Sequence, residues 1–268
     1  MEITGSGPPL VLVPGMQGRW EWMAATVAEL AKRFTVVTYS LCGEPGSPPL
    51  EDSLDGDLAQ LDAACQAAGP EPVTLVGVSF GGWIAVRYAA AHPERVRALV
   101  LANAPGPGFS PSPQQARWLA RPILSMPMFA MTAPGRFLPE LRNAFPTWRQ
   151  RLAFAIRQGW LALRAPMSAP RVARRVHVAL AEDIADAARH VRVPTLLVTG
   201  EDGLDKIVPP ASTRRYTEWI ADTRLERLDG TGHMGTVTRA ATFAALVGAF
   251  ADPGAIGATP LGGREGAA

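Results

Sequence analysis

The sequence predicts an α/β fold: a mostly parallel, doubly wound sheet with helices on both faces and one helical insertion. Three observations predict it. Short continuous apolar runs rich in Val, Leu and Thr recur along the chain, as strands buried on both faces do. They alternate with helical patterns, and strand, helix, strand in succession gives parallel pairing through right-handed crossovers. A single long proline-broken segment interrupts the alternation. At 268 residues with 47% apolar content, the chain has room for one well-buried domain plus an insertion, but not for two enzyme domains.

The elements follow in order. The first strand is LVLV (residues 10–13), then a helix over 20–32, a strand FTVVTY (34–39), a helix over 54–67 and a strand VTLVGV (73–78). A helix over 81–91, closed by HPERV, leads to the strand ALVLA (98–102). The segment 105–186 is helical in composition but punctuated by prolines, which predicts short helices only. The sheet resumes with VPTLLVTG (193–200) and a weaker strand over 223–228, before a final helix over about 238–250. The core is thus 1–104 and 187–251, the insertion 105–186, and the Gly-, Ala- and Pro-rich tail 252–268 is expected to be disordered.

Composition excludes several classes. Cys42 and Cys65, the only cysteines, form no C-x-x-C pair and adjoin no histidine cluster, so neither a disulfide framework nor a zinc site is expected, and a reducing cytoplasm is the expected location. The first residues lack the basic start and apolar core of a signal peptide, and no stretch approaches 18 apolar residues, so no stable membrane insertion is expected. A net charge of +2 gives no argument for a nucleic-acid partner.

That charge is unevenly spread. Residues 105–180 hold eleven arginines, no lysine and one acid, Glu140, which is +10 against −8 for the remainder. Arginine outnumbers lysine 24 to 2 overall, a compositional bias that accounts for part of the count but not for the missing acids. Such a surface would concentrate anionic small-molecule substrates near the site, the alternative being an arginine-rich solvated surface. Membrane association through it would need an exposed apolar face beside the arginines.

The stretch VGVSFGG (76–82) places Ser79 between Gly77 and Gly81, at the junction of a strand and a helix. In so sharp a turn the residues two positions either side approach each other, and glycine relieves the clash. The serine oxygen then projects at the carboxyl end of a parallel sheet, above a helix N-terminus. The bland alternative is an ordinary glycine-rich connection. A serine nucleophile needs a base further along. Of four histidines, His92 closes a helix, His177 and His190 lie in arginine-rich helical stretches, and His233 sits in LDGTGHMGT between the last strand and the last helix. The strand end in LLVTGEDGLDKIVPP offers Glu201, Asp202 and Asp205 as the acid.

The elbow GVSFG, the acid loop TGEDGLDKIVP, the histidine loop GTGHMG and the VPGMQG turn together resemble the α/β-hydrolases with a serine nucleophile, of the lidded esterase and lipase type. The resemblance implies the order Ser, acid, His. It maps the family's D-x-I-V-P onto residues 205–209, making Asp205 the acid; counting from Gly200 instead falls on Gly203, so the loop is two residues longer than usual and Asp202 is the runner-up. It implies backbone N–H groups of Met16 and Phe80 as the oxyanion pair, although Pro14-Gly15 stands where the family has His-Gly. The stretch SLCGEPGS (40–47) lacks the family's arginine, and too few residues precede the first strand for two leading antiparallel strands of usual length.

The implied activity is a carboxylic-ester hydrolase working through an acyl-enzyme, with a thioester, a lactone or a carbon–carbon bond as alternatives for the same triad. A non-catalytic ligand-binding protein is the alternative of another class. Nucleophilic-aspartate chemistry is disfavoured by the serine at the elbow, and no metal or organic cofactor is called for. The insertion resembles the family's lid, its Trp, Phe and Met residues between Trp118 and Met167 dividing between pocket lining and the lid's own core.

Overall fold

Runs of Val, Leu and Thr form seven strands in the structure, a computed structural model that describes residues 1–252. The strands are β1 (Glu2–Thr4), β2 (Pro9–Val13), β3 (Thr35–Thr38), β4 (Val73–Val78), β5 (Val96–Ala102), β6 (Thr195–Thr199) and β7 (Thr223–Arg227). They make one sheet in the order β1-β3-β2-β4-β5-β6-β7. Only β1 is antiparallel to its neighbour. Every residue of β2, β4 and β6 is buried, which is why these strands read as unbroken apolar runs.

Successive side chains point to opposite faces, and the core divides accordingly. Val11, Val13, Leu75, Leu99 and Leu197 face one cluster; Leu10, Leu12, Val76, Val100 and Val198 face the other. The helices are α1 (Ala24–Leu30), α2 (Leu54–Ala67), α3 (Phe80–Ala91), α4 (Pro113–Ala120), α5 (Pro122–Ala144), α6 (Trp148–Arg164), α7 (Ala169–Ala181), α8 (Ile184–His190), α9 (Pro210–Arg214), α10 (Gly235–Thr238) and α11 (Ala240–Ala251). Helices α2, α3 and α8 cover the first cluster, while α1 and α11 cover the second. Local chemistry starts several of them: Ser53 caps α2 through the Gly56 N–H, and Ser112 with Gln115 and Thr147 with Gln150 form capping boxes at α4 and α6.

The sequence expectations differ from the structure in four places. β1 is a short, exposed edge strand with no apolar run to announce it. Residues 20–23 form a 3₁₀ turn ahead of α1, and the last helical stretch divides into α10 and α11 around Arg239. The insertion is not limited to short helices: α5 runs 23 residues through Pro127, Pro134 and Pro139. Each interior proline costs about 3 kcal/mol by removing a donor and crowding the preceding turn. All three prolines, and the residues four before them, are exposed, so water can take up the freed carbonyls. Before Pro134 the Thr132 hydroxyl also donates to Met128 O (2.8 Å) and the Arg136 guanidinium to Phe129 O (2.7 Å). Packing against α4 and α7 offsets the remainder.

Helices α4 to α7 lie between β5 and β6 in the chain, and α4, α5 and α7 reach over Ser79 at the carboxyl end of β4. Residue 186 falls within α8, which packs on α3 beside the sheet. Of the tail, only Asp252 is among the described residues; residues 253–268 lie outside them.

Candidate active site

Strand β4 ends at Val78 and α3 opens at Phe80, so Ser79 alone makes the turn. Its backbone sits at φ 52°, ψ −123°, a conformation that costs a non-glycine residue about 1–3 kcal/mol. The surroundings hold it there: Ser79 N–H donates to Ala102 O (2.8 Å), and Ser79 O accepts from Gly82 N–H (2.9 Å). A Cβ on Gly77 would stand 2.6 Å from Gly81 O and from Gly82 Cα, and one on Gly81 would stand 2.5 Å from Val13 O and Pro14 O. The two glycines therefore serve different contacts, one within the turn and one against the end of β2.

His233, on the loop between β7 and α10, reaches across with Nε2 3.0 Å from Ser79 Oγ and Nδ1 2.9 Å from Asp205 Oδ2. Asp205 is buried, and its other oxygen accepts from the N–H groups of Ile207 and Val208, both at 2.8 Å. The three acids of this loop thus separate. Asp202 is 69% exposed and binds the Arg214 guanidinium with both oxygens (2.9 and 3.2 Å). Glu201 accepts from Gly230 N–H (2.7 Å) and braces the histidine loop. His92, His177 and His190 are all exposed.

Burial opposes a charge on His233, but the Asp205 carboxylate, its hydrogen bond and the more distant Glu140 carboxyl outweigh that and raise the imidazole above its ordinary pKa. With Nδ1–H donated to Asp205, Nε2 is left to accept the Ser79 hydroxyl proton. Met16 and Phe80 border Ser79 on the cavity wall. Phe80 opens α3, so its N–H belongs to the first-turn donors that have no acceptor within the helix.

Three supporting residues escaped the sequence reading. Arg175, counted there with the surface charge of the insertion, is buried; from α7 its guanidinium donates to Met16 O (3.1 Å) and Cys42 O (2.9 Å) and pairs with buried Glu44 (2.9 Å). It fixes the Met16 turn and supplies, from 131 residues beyond Glu44, the cation missing from SLCGEPGS. The missing arginine was the available signal. Glu140 is buried under the histidine loop, accepting from Met234 N–H and Thr238 Oγ1, both at 3.1 Å. Burial raises its pKa, against the opposing effect of the Met234 and Gly232 N–H groups, the Thr238 hydroxyl and His233. Its being the lone acid among eleven arginines could have marked it. Asn103, at φ 47° just beyond β5, donates to the carbonyls of Gly232 (3.2 Å) and His233 (3.3 Å) and accepts from Gly200 N–H (3.2 Å). It ties the acid and histidine loops to one strand end.

Above Ser79 lies a cavity of about 120 Å³ roofed by α4, α5 and α7. Trp118, Met126, Phe129 and Met167 line it, whereas Met128, Met131, Trp148 and Trp160 point to solvent, and Phe145 packs on Phe154 (5.1 Å). No charged side chain lines the cavity among the described residues; the hydroxyl and amide side chains on its wall are those of Ser79, Gln115 and Ser125.

The family model described as "alpha/beta hydrolase fold" matches residues 8–240. The chain belongs to this family. As an α/β-hydrolase it is 32% identical over 267 aligned positions, 92% of this chain and 88% of the other, to a 2-hydroxymuconate semialdehyde hydrolase of Pseudomonas sp. strain CF600. It is 27% identical to the pimeloyl-[acyl-carrier protein] methyl ester esterase of Aeromonas hydrophila, over 93% of this chain and 98% of that one. An esterase of Exiguobacterium antarcticum shares the fold, with a TM-score of 0.76 at 20% identity over 93% of this chain and 94% of that one. The family model and these two curated relatives, each a hydrolase by name, support a hydrolase.

Proposed function

We propose that the protein is a serine hydrolase that cleaves a neutral carboxylic ester with an apolar acyl or alcohol group. The observation that carries this is His233 held between Ser79 Oγ at 3.0 Å and buried Asp205 at 2.9 Å, with Ser79 on the wall of a cavity that no charged side chain lines among the described residues. Ser79 attacks the ester carbonyl as His233 Nε2 takes its proton, and Asp205 holds the imidazole in the productive tautomer and stabilises its charge. The N–H groups of Met16 and Phe80 receive the oxyanion, the first positioned by Arg175 and the second by the opening of α3. His233 returns the proton to the departing alcohol, and water, activated by the same imidazole, removes the acyl group from Ser79. The insertion serves as a lid that keeps the reacting carbonyl away from bulk water.

The cavity wall also bears on the substrate's charge. A distal carboxylate inside it would lie unpaired, at several kcal/mol. The arginine-rich exterior then acts on anionic substrates only at long range, in a salt-dependent way. A p-nitrophenyl ester with an alkyl acyl chain should therefore be turned over with kcat/KM at least about tenfold above a matched ester ending in a carboxylate, even at low ionic strength. Preference for the carboxylate ester, or turnover of neither, would remove the neutral-ester reading.

Glu140 provides a second test through pH. His233 must be neutral to act as base, so kcat/KM falls as pH drops through its raised pKa. Glu140→Gln removes one of the charges that raise it and should move the acid limb of the profile to lower pH, with KM little changed. An unmoved limb would mean that Glu140 is uncharged when His233 titrates and acts only as a clamp on the loop.

A further inference from the structure

Helix α6 turns its large apolar residues outward. Trp148, Leu152, Ile156, Trp160 and Leu163 are between 48% and 77% exposed, and their spacing sets them along one side of the helix. The other side, with Arg151, Phe154, Gln158 and Leu161, is the less exposed one. Burial normally drives the opposite arrangement, and a continuous apolar stripe in water marks a surface that meets something.

The charge around the stripe narrows what that is. Arg149, Arg151, Arg157 and Arg164 lie on α6 with no acidic residue, and Arg149 and Arg164 stand 5.7 and 5.9 Å from the rings of Trp148 and Trp160. Helix α5 adds exposed Ile123, Leu124, Met128 and Met131. The one acid between residues 105 and 180, Glu140, is buried, so the exposed surface of this segment carries no carboxylate.

We propose that α6 docks the protein onto an anionic lipid bilayer, its stripe lying in the plane of the interface and its arginines among the lipid phosphates. Trp and Leu on one face with arginine at its borders is the composition of a helix that lies on a membrane. Among the described residues no helix is long and apolar enough to cross one. A second copy of the chain fits poorly, because two such faces bring arginines against arginines with no acid to pair them. An acidic protein would pair the arginines but would also have to offer a groove along four turns of helix; a bilayer presents phosphate and hydrocarbon together.

The test is flotation of the full chain with vesicles of phosphatidylglycerol and phosphatidylcholine, against vesicles of phosphatidylcholine alone. Binding should be at least about tenfold stronger with the anionic lipid and should weaken as salt rises. The double variant Leu152→Gln/Ile156→Gln, whose side chains lie outside the cavity wall, should bind at least about tenfold more weakly while keeping the wild-type circular dichroism and melting temperature. In wild-type protein, which needs no variant, lipid brominated on its acyl chains should quench tryptophan emission. The proposal falls if vesicles fail to bind, if brominated lipid leaves emission unchanged, or if the folded double variant binds undiminished. It falls equally if light scattering gives a dimer that the double variant dissociates, or if the chain binds polyglutamate and not vesicles.

Discussion

Ser79→Ala should lower kcat on a p-nitrophenyl ester by about 10⁶, the loss expected when a triad nucleophile is removed and binding and oxyanion contacts remain. The variant should fold, since alanine meets the same backbone requirement at φ 52° as serine and, among the described residues, the hydroxyl contributes one hydrogen bond, to His233. Its melting temperature should therefore stay close to that of the wild type. A fluorophosphonate should label the wild-type protein on the peptide carrying Ser79 and leave the alanine variant unlabelled. Turnover surviving in the variant, or labelling on another serine, would end the covalent mechanism and favour a protein that binds its ligand without chemistry.

The sheet and the elbow were legible because both are written locally. A strand buried on both faces must be apolar at every position, and the turn at Ser79 needs glycine at 77 and 81 to clear Gly82, Val13 and Pro14. His233 and the acid loop were reachable because each follows a strand end that can be recognised by itself, while Asp205 was singled out among that loop's three acids by the resemblance to the α/β-hydrolases. Arg175, Glu140 and Asn103 were not, since each acts on a loop remote in sequence and has no spacing rule to reveal it. Arg175 reaches Met16 and Glu44 only because the fold brings α7 against the turn that follows β2. The long α5 was misjudged because proline counts predict the cost of a helix, not the packing that offsets it. The outward stripe of α6 was hidden for a related reason: its apolar periodicity fits a buried face equally well, and only the fold decides which way it turns.

Asp205→Asn should cost about 10⁴ in kcat with little change in KM. The Ile207 and Val208 N–H groups hold Oδ1, so the amide oxygen of asparagine takes that place and its NH₂ turns to His233. An NH₂ group there can only donate, so Nδ1 becomes the acceptor and the ring proton moves to Nε2. In that tautomer Nε2 cannot take the Ser79 proton, although every heavy atom stays where it was. Asp202→Asn should do almost nothing, because it removes an exposed ion pair with Arg214 of a kind that contributes about 0–1 kcal/mol. Steady-state kinetics of the two variants, with melting temperatures as a folding check, separate the two acids. A large loss in Asp202→Asn with Asp205→Asn near wild type would transfer the acid to Asp202, and the loop would then have to rearrange when substrate binds.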